Sequence, residues 1–236
     1  MVSRPFYALH ADAYDLLITD PVEPWTDAVH ERLVRAGLQT AVMLDAGCGT
    51  GRHAAALIAD GHRVDLADAS AELLSQARQR CPEATVRHVD LRTLDPAPEY
   101  DAVTCRGVLN DLVTDEDRDA VIAALAGCLR PDGLLFLDVR EAEASRVRAD
   151  GTWRHLVGGR LRFSARTTWD DGLLRVEERY DLGGQVSTYD FTMRPWSTDE
   201  LTSTLRRHGL RDVEVGGGVG RRTPDRLFVV ARRAVQ

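Results

Sequence analysis

From about residue 41 the chain alternates short apolar runs with stretches in which apolar residues recur every three or four positions. The runs 41–44, 62–67, 84–89, 100–105 and 134–139 have the length of buried strands, with helical periods between them. That rhythm predicts an α/β fold, a doubly wound parallel sheet covered on both faces. Thr114-x-x-Asp117 opens one helix as a capping box, with Val121, Ile122, Leu125 and Leu129 on one stripe and Pro131-Asp132-Gly133 as its closing turn. Ser197-x-x-Glu200 opens another, which carries Leu201 and Leu205 and closes near Gly209.

Residues 153–194 change the period to two. Leu161, Phe163, Ala165 and Trp169 hold one parity, while Arg160, Arg162 and Arg166 hold the other, which is the mark of half-wetted antiparallel strands. Asp171-Gly172 and Gly183-Gly184 are hairpin signals, so a three-stranded meander is expected after the fifth strand, roofing the strand ends. The arginines form its wet face, with Glu177 and Glu178 as cross-strand partners. The expected division is a helical lid over 1–40, a sheet domain from 41–150 and 195–236, and an antiparallel β lid over 151–194.

Composition narrows the chemistry. With 236 residues, 44% apolar and 28% charged, the chain is expected to build one globular unit. All 30 basic residues are arginine, which removes aldimine, Schiff-base aldolase, P-loop and kinase-lysine chemistry. The net charge of −7 disfavours nucleic acid as a partner, although arginines can still bind a small anion. Cys48, Cys81, Cys105 and Cys128 lack metal-type spacing and read as reduced thiols of a cytoplasmic protein; no metal site is expected. Neither a signal peptide nor a membrane-spanning run is apparent, so no membrane partner is expected.

Residues 42–53, VMLDAGCGTGRH, read as a strand, a glycine turn and a helix start. A dinucleotide fingerprint needs glycine at 52, where Arg52 stands. Asp45 at the strand end would repel a pyrophosphate but suits a ligand with an ammonium and a sulfonium. Asp68 ends the second strand, where a carboxylate can accept both ribose hydroxyls, and Ser70 caps the next helix. Asp90-Leu91 at the third strand end offers a carboxylate and an N–H to an adenine edge. A tight turn and helix-capping acids explain each residue singly but not their registration.

With D-A-G-C-G-T-G, an acid ending strand two and D-L ending strand three, residues 5–140 resemble class I S-adenosylmethionine-dependent methyltransferases. The tail R-x-W-S-x-x-E-L, followed by D-R-L-F-V-V-A, is similar too. The resemblance implies a Rossmann-like, seven-stranded, mostly parallel sheet and S-adenosyl-L-methionine as cofactor. It assigns Asp45, Gly47, Gly49 and Gly51 to the methionine portion, Asp68 to the ribose, and Asp90 with Leu91 to the adenine. Tyr14 matches the lid helix, to touch the cofactor or to pack in the core, and Arg106 joins the cofactor set. Asp65 precedes the carboxyl end of its strand and is not assigned to the ribose.

Ligands of such sheets bind where strand order reverses, between strands one and four. Residues 106–112 then face the sulfonium and residues 138–141 the acceptor. Positioning supplies most of the help a protein gives an in-line methyl transfer, up to about 7–11 kcal/mol. Deprotonating an alkylammonium at pH 7 costs about 4 kcal/mol, so amine or carboxylate acceptors are easier than aliphatic alcohols. Asp111 is the catalytic candidate, holding an ammonium and taking its proton; the other reading is a helix-entry acid paired with Arg106. In the nucleotide-linked amino-sugar N-methyltransferases that the chain resembles, a histidine stands there. Arg106 and Arg140 either clamp an anionic group of the substrate or are tied to Asp111, Asp138 and Glu141. Asn110, Trp153 and Trp196 complete the substrate candidates, with core packing as the alternative for Trp153, Tyr189 and Trp196. His10, His53 and His155 read as structural or solvated rather than catalytic.

The expected function is methylation of a small-molecule acceptor, at an amine nitrogen, in specialised metabolism such as antibiotic biosynthesis. Carboxyl or phenolic O-methylation is the variant. A nicotinamide oxidoreductase and a non-catalytic cofactor-binding protein are the readings from other classes. The sequence leaves room for a homodimer.

Overall fold

Alternate residues along the central strands feed two different apolar layers. Leu44, Val103 and Leu137 pack on one side with Leu125, Leu201 and Trp196. Their neighbours Met43, Ala102 and Phe136 pack on the other with Trp25, Leu33, Leu57 and Phe228. Near-continuous apolar strands are what burial on both faces demands. The computed structural model describes residues 10–221 and 223–235.

In chain order the elements are α1 (Tyr14–Leu17), α2 (Glu23–Arg35), β1 (Val42–Ala46), α3 (Arg52–Ala59), β2 (Arg63–Asp68), α4 (Ala71–Arg80), β3 (Val86–His88) and β4 (Tyr100–Arg106). There follow α5 (Asp115–Gly127), β5 (Leu129–Arg140), α6 (Ala142–Arg148), β6 (Arg154–Gly158), β7 (Leu161–Asp170), β8 (Leu173–Leu182), β9 (Gln185–Met193), α7 (Thr198–Arg207), β10 (Leu210–Gly217) and β11 (Arg226–Arg233). Among the described residues these strands form a seven-stranded sheet, ordered β10-β11-β5-β4-β1-β2-β3, and a four-stranded sheet, β6-β7-β8-β9. Strands β1 to β5 pair in parallel, and β11 and β10 close the edge antiparallel. The strand order reverses at β1, between β2 and β4, which opens a crevice at the carboxyl ends.

The caps fall where the sequence puts them. Thr114, Ser197 and Ser70 accept hydrogen bonds from the backbone N–H groups of Asp117, Glu200 and Leu73. The Pro131-Asp132-Gly133 tract is not a turn outside the sheet. It lies within β5, where Asp132 takes φ 63° and the register against β4 slips between Tyr100 and Ala102.

The inserted meander has four strands rather than three. Its first hairpin turns at Gly159, with φ 55°, and joins the short strand β6 to β7. Strand β6 has exposed residues at three of its five positions, so it lacks a strong alternation. Asp171-Gly172 and Gly183-Gly184 all take positive φ at the next two turns, as two-residue hairpins require.

The segment before β1 divides. Ala13, Leu16 and Leu17 pack against Leu161 and Tyr180 of the four-stranded sheet, whereas Trp25, Val29 and Leu33 of α2 belong to the core of the large sheet. Residues 1–9 of the expected lid lie outside the described residues. All four cysteines are buried and free. No helix among the described residues is long and apolar enough to cross a membrane, and none of their His, Cys, Asp and Glu side chains group as metal ligands.

Candidate active site

Strand β1 delivers Asp45 to the crevice, and the chain then turns on Gly47, Gly49 and Gly51, with φ of 81°, 56° and 77°. The N–H groups of Gly47 and Cys48 both donate to Ala67 O, at 2.7 and 3.1 Å, which pins the turn to β2. A Cβ on Gly47 would stand 2.3 Å from Val108 Cγ2, and one on Gly49 would lie 3.5 Å from the Tyr14 ring. Gly51 differs. Its missing side chain lets α3 approach Ala77 of α4 and Cys81 just beyond it, so this glycine serves helix packing and is not on the cavity wall. Asp15 accepts from Thr50 Oγ1 at 2.7 Å and pairs with Arg80, also at 2.7 Å, which holds α1 and Tyr14 over the turn.

A cavity of about 320 Å³ opens here. Its floor is Asp45, Gly47, Cys48, Gly49 and Thr50, and its side wall includes Arg106, Asn110 and Arg140. Its roof is the inner face of the four-stranded sheet, with Phe163, Ala165, Val176, Glu178, Phe191 and Met193. This volume is at the small end of those of ligand pockets.

Asp45 is 4% exposed and accepts the Thr104 hydroxyl at 2.8 Å; burial pushes its carboxyl up to about 6. The Asp68 oxygens accept the N–H groups of Gly49 and Ser70, both at 2.9 Å. Burial also raises the Asp68 carboxyl, against those backbone bonds. Asp90 accepts Arg92 N–H at 3.0 Å and pairs with its guanidinium at 2.7 Å, while Leu91 is core. Asp68, Asp90 and Leu91 thus stand at the ends of β2 and β3, beside the cavity rather than on its wall. Asp65 takes the Tyr100 hydroxyl at 3.1 Å, a structural bond that keeps it from the crevice.

The expected arginine clamp is not formed. Arg140 pairs with buried Asp225, not with Asp138 or Glu141. The Arg106 guanidinium lies over Trp25 at 5.6 Å and donates to Gly220 O at 3.0 Å. Burial, aided by the Arg221 charge, lowers Arg106 to about 9, and its Nε is buried with no partner among the described residues. Asp138 is held instead by Arg221, at 2.7 Å, and by Arg226. Both arginines line the cavity, and sequence reasoning missed them. The Gly216–Gly220 loop and the Asp225-Arg226 pair at the start of β11 were the available signals.

Asp111 is half-buried at the end of the turn 109–111 and is not on the cavity wall. Its neighbour Asn110 takes that place, 1% exposed, with Oδ1 accepting Arg140 N–H at 2.7 Å. Trp196 is a core residue rather than a substrate contact. It is fully buried, with the Arg118 guanidinium 3.3 Å from its ring centroid and its indole N–H donating to Leu109 O at 3.4 Å. Trp153 is exposed, stacks with Arg166 at 5.2 Å and lies outside the cavity. His53 lines the cavity; burial, reinforced by Arg106 and Arg221, drives it down to about 2, so its ring is neutral. His155 Nδ1 lies 2.8 Å from Ser164 Oγ, a local bond outside the cavity.

Glu178 also differs from expectation. Glu177 pairs with Arg166 on the wet face, but Glu178 faces the other way, 9% exposed and on the cavity roof. The signal was its parity, since it alternates with Leu174, Val176 and Tyr180.

A methyltransferase-domain family model matches residues 43–133. A glycine/sarcosine N-methyltransferase of Halorhodospira halochloris is 31% identical over 183 residues, which span 74% of this chain and 67% of that protein. The dTDP-3-amino-3,6-dideoxy-alpha-D-glucopyranose N,N-dimethyltransferase of Streptomyces fradiae is 32% identical over 101 residues, 42% of this chain and 40% of the relative. Among solved structures, an S-adenosylmethionine-dependent methyltransferase from Clostridium acetobutylicum matches with a TM-score of 0.83 at 16% identity, covering 97% of this chain and 99% of that one.

Proposed function

We propose that this chain, a class I S-adenosylmethionine-dependent methyltransferase of the small-molecule kind, methylates an amine nitrogen in cytoplasmic specialised metabolism. Family membership sets aside the nicotinamide oxidoreductase and the non-catalytic reading. The observation that carries the proposal is the shared cavity, in which the glycine turn and the inner face of the four-stranded sheet enclose one space.

The residues present fit the cofactor. The amino-acid end of S-adenosylmethionine is a zwitterion, and this wall offers both signs: the Asp45 carboxylate, and Arg106 with a buried Nε still lacking a partner among the described residues. Gly47 leaves a cradle that a Cβ would fill. Asp45, Arg106, Tyr14 and the backbone of Gly47 and Gly49 would hold the methionine portion. Asp68 would hold the ribose, since each carboxylate oxygen keeps a second acceptor site beside its backbone bond. Asp90 and the Leu91 N–H would meet the adenine edge. When bound, the cofactor supplies an electrophilic methyl on a sulfonium.

The chain's own part is positioning. Asn110 Oδ1 ties the segment leaving β4 to the Arg140 N–H at the end of β5, so the side wall is rigid. Phe163, Val176, Phe191 and Met193 exclude water from the roof. An amine is favoured because its deprotonation asks for about 4 kcal/mol, within what orientation supplies. The two relatives named above are both N-methyltransferases by name.

The test is calorimetric titration with S-adenosylmethionine, then incubation of the labelled cofactor with amines, carboxylic acids and phenols and mass identification of the product. Label on nitrogen is expected. Label on oxygen overturns the amine assignment, and a titration with neither heat nor thermal shift overturns the cofactor site.

A further inference from the structure

We propose that Glu178 is the group that receives the acceptor's ammonium, and that the roof around it takes an apolar body, which makes the acceptor an apolar amine rather than an amino acid. This rests on the methyltransferase reading and adds the substrate class.

Glu178 lies on the apolar parity of β8, with Leu174 at 2%, Val176 at 4% and Tyr180 at 1% exposure. Arg175 and Arg179 point to the opposite, exposed face, where Glu177 pairs with Arg166. Tyr180 donates its hydroxyl to Glu178 Oε2, which fixes the carboxylate on the cavity side. Its cross-strand neighbours are Ala165 on β7 and Tyr189 on β9. Ala165 also lines the cavity, and a side chain of one carbon leaves room beside the carboxylate.

Apart from Thr167, the surrounding roof is apolar: Phe163, Val176, Phe191 and Met193. A carboxylate set among such groups gains most from a cation brought into the same space, because the low dielectric strengthens the pair. Aromatic faces beside it favour the same ammonium. An acceptor with its own carboxylate would find Glu178 and Asp45 unfavourable. Of the cavity's guanidiniums, Arg140, Arg221 and Arg226 are already committed to Asp225 and Asp138, Arg52 donates to Ile18 O, and Arg106 is assigned above to the cofactor's own carboxylate.

The experiment is calorimetry on the full chain saturated with S-adenosylhomocysteine, titrated with phenethylamine, 2-phenylethanol and glycine. Phenethylamine is expected to bind at least about tenfold more tightly than the other two. Glu178→Gln is expected to weaken phenethylamine about tenfold or more, with 2-phenylethanol and S-adenosylhomocysteine unchanged. Ala165→Leu, which fills the space beside the carboxylate, is expected to abolish phenethylamine binding and keep the cofactor product. It serves as the test should Glu178→Gln fail to fold, as judged by its thermal transition. Equal phenethylamine affinity in wild type and Glu178→Gln, undiminished binding by Ala165→Leu, or a preference for glycine overturns the proposal. Absence of phenethylamine binding while S-adenosylhomocysteine binds overturns this inference alone. Absence of S-adenosylhomocysteine binding overturns the cofactor site as well.

Discussion

Asp45 and Thr104 face each other across the seam between β1 and β4, with the threonine hydroxyl donating to Asp45 Oδ1 at 2.8 Å. Burial outweighs that bond and holds the carboxyl at about 6, above its ordinary 3.8. Between those values the folded chain binds a proton that the unfolded chain does not, so stability falls as pH rises through that window and stays lower above it. Asp45→Asn is expected to raise stability at pH 7 by up to about 3 kcal/mol and to flatten the slope in that window, as read by urea unfolding at stepped pH. It should also weaken S-adenosylmethionine at least about tenfold in calorimetry. An unaltered slope would assign the linkage to another group.

Gly47 and Gly172 share a left-handed backbone, at φ 81° and 80°, but not their surroundings. A Cβ at 172 meets nothing within 4 Å, whereas one at 47 meets Val108 at 2.3 Å. Gly172→Ala is expected to cost about 1–2 kcal/mol from backbone strain alone. Gly47→Ala should cost a further 1–3 kcal/mol or so through overpacking, with loss of cofactor binding. Thermal unfolding of the two variants side by side is the check, and equal losses would refute it.

The side wall separates two adjacent residues. Asn110→Ala removes the acceptor of the Arg140 N–H and is expected to cost about 1–3 kcal/mol of stability and at least about tenfold in kcat/KM. Asp111→Asn, outside the wall, should change turnover by no more than about twofold. Steady-state kinetics on the identified acceptor decides, and a collapse of Asp111→Asn alone would restore Asp111 as the catalytic group.

Trp196 sits under the Arg118 guanidinium in the core beneath α7. Trp196→Ala is expected to lose about 3–5 kcal/mol in denaturant titration. At a temperature where the variant remains folded, its affinity for S-adenosylmethionine should match wild type. A selective loss of ligand affinity with intact stability would return Trp196 to the site.

The legible parts of the sequence were those in which one local rule decides. Thr114, Ser197 and Ser70 cap helices because their side-chain oxygens satisfy N–H groups three residues on, a relationship visible in four letters of sequence. Asp45 and the first two glycines reach the cavity because strand, turn and helix follow directly from one another. What failed depends on distance along the chain. Asp225, 85 residues from Arg140, neutralises the guanidinium expected to clamp an anion. Arg118, 78 residues from Trp196, marks that indole as core. Glu178 was misread because arginines on both sides made the strand look wet, although its own parity is that of Val176 and Tyr180. The four-strand count was missed because β6 is short and weakly patterned.

The two halves of the cavity are encoded in different currencies. The donor side is a backbone bend, whose shape survives exchanges elsewhere so long as its glycines remain. The roof, proposed above as the acceptor side, is a set of side chains at alternate positions of β7, β8 and β9. On the proposed assignment, exchanging a few residues such as Ala165, Val176, Glu178 and Phe191 would change the acceptor while leaving the glycine bend in place. Such an architecture lets a lineage change customers while keeping the same supplier.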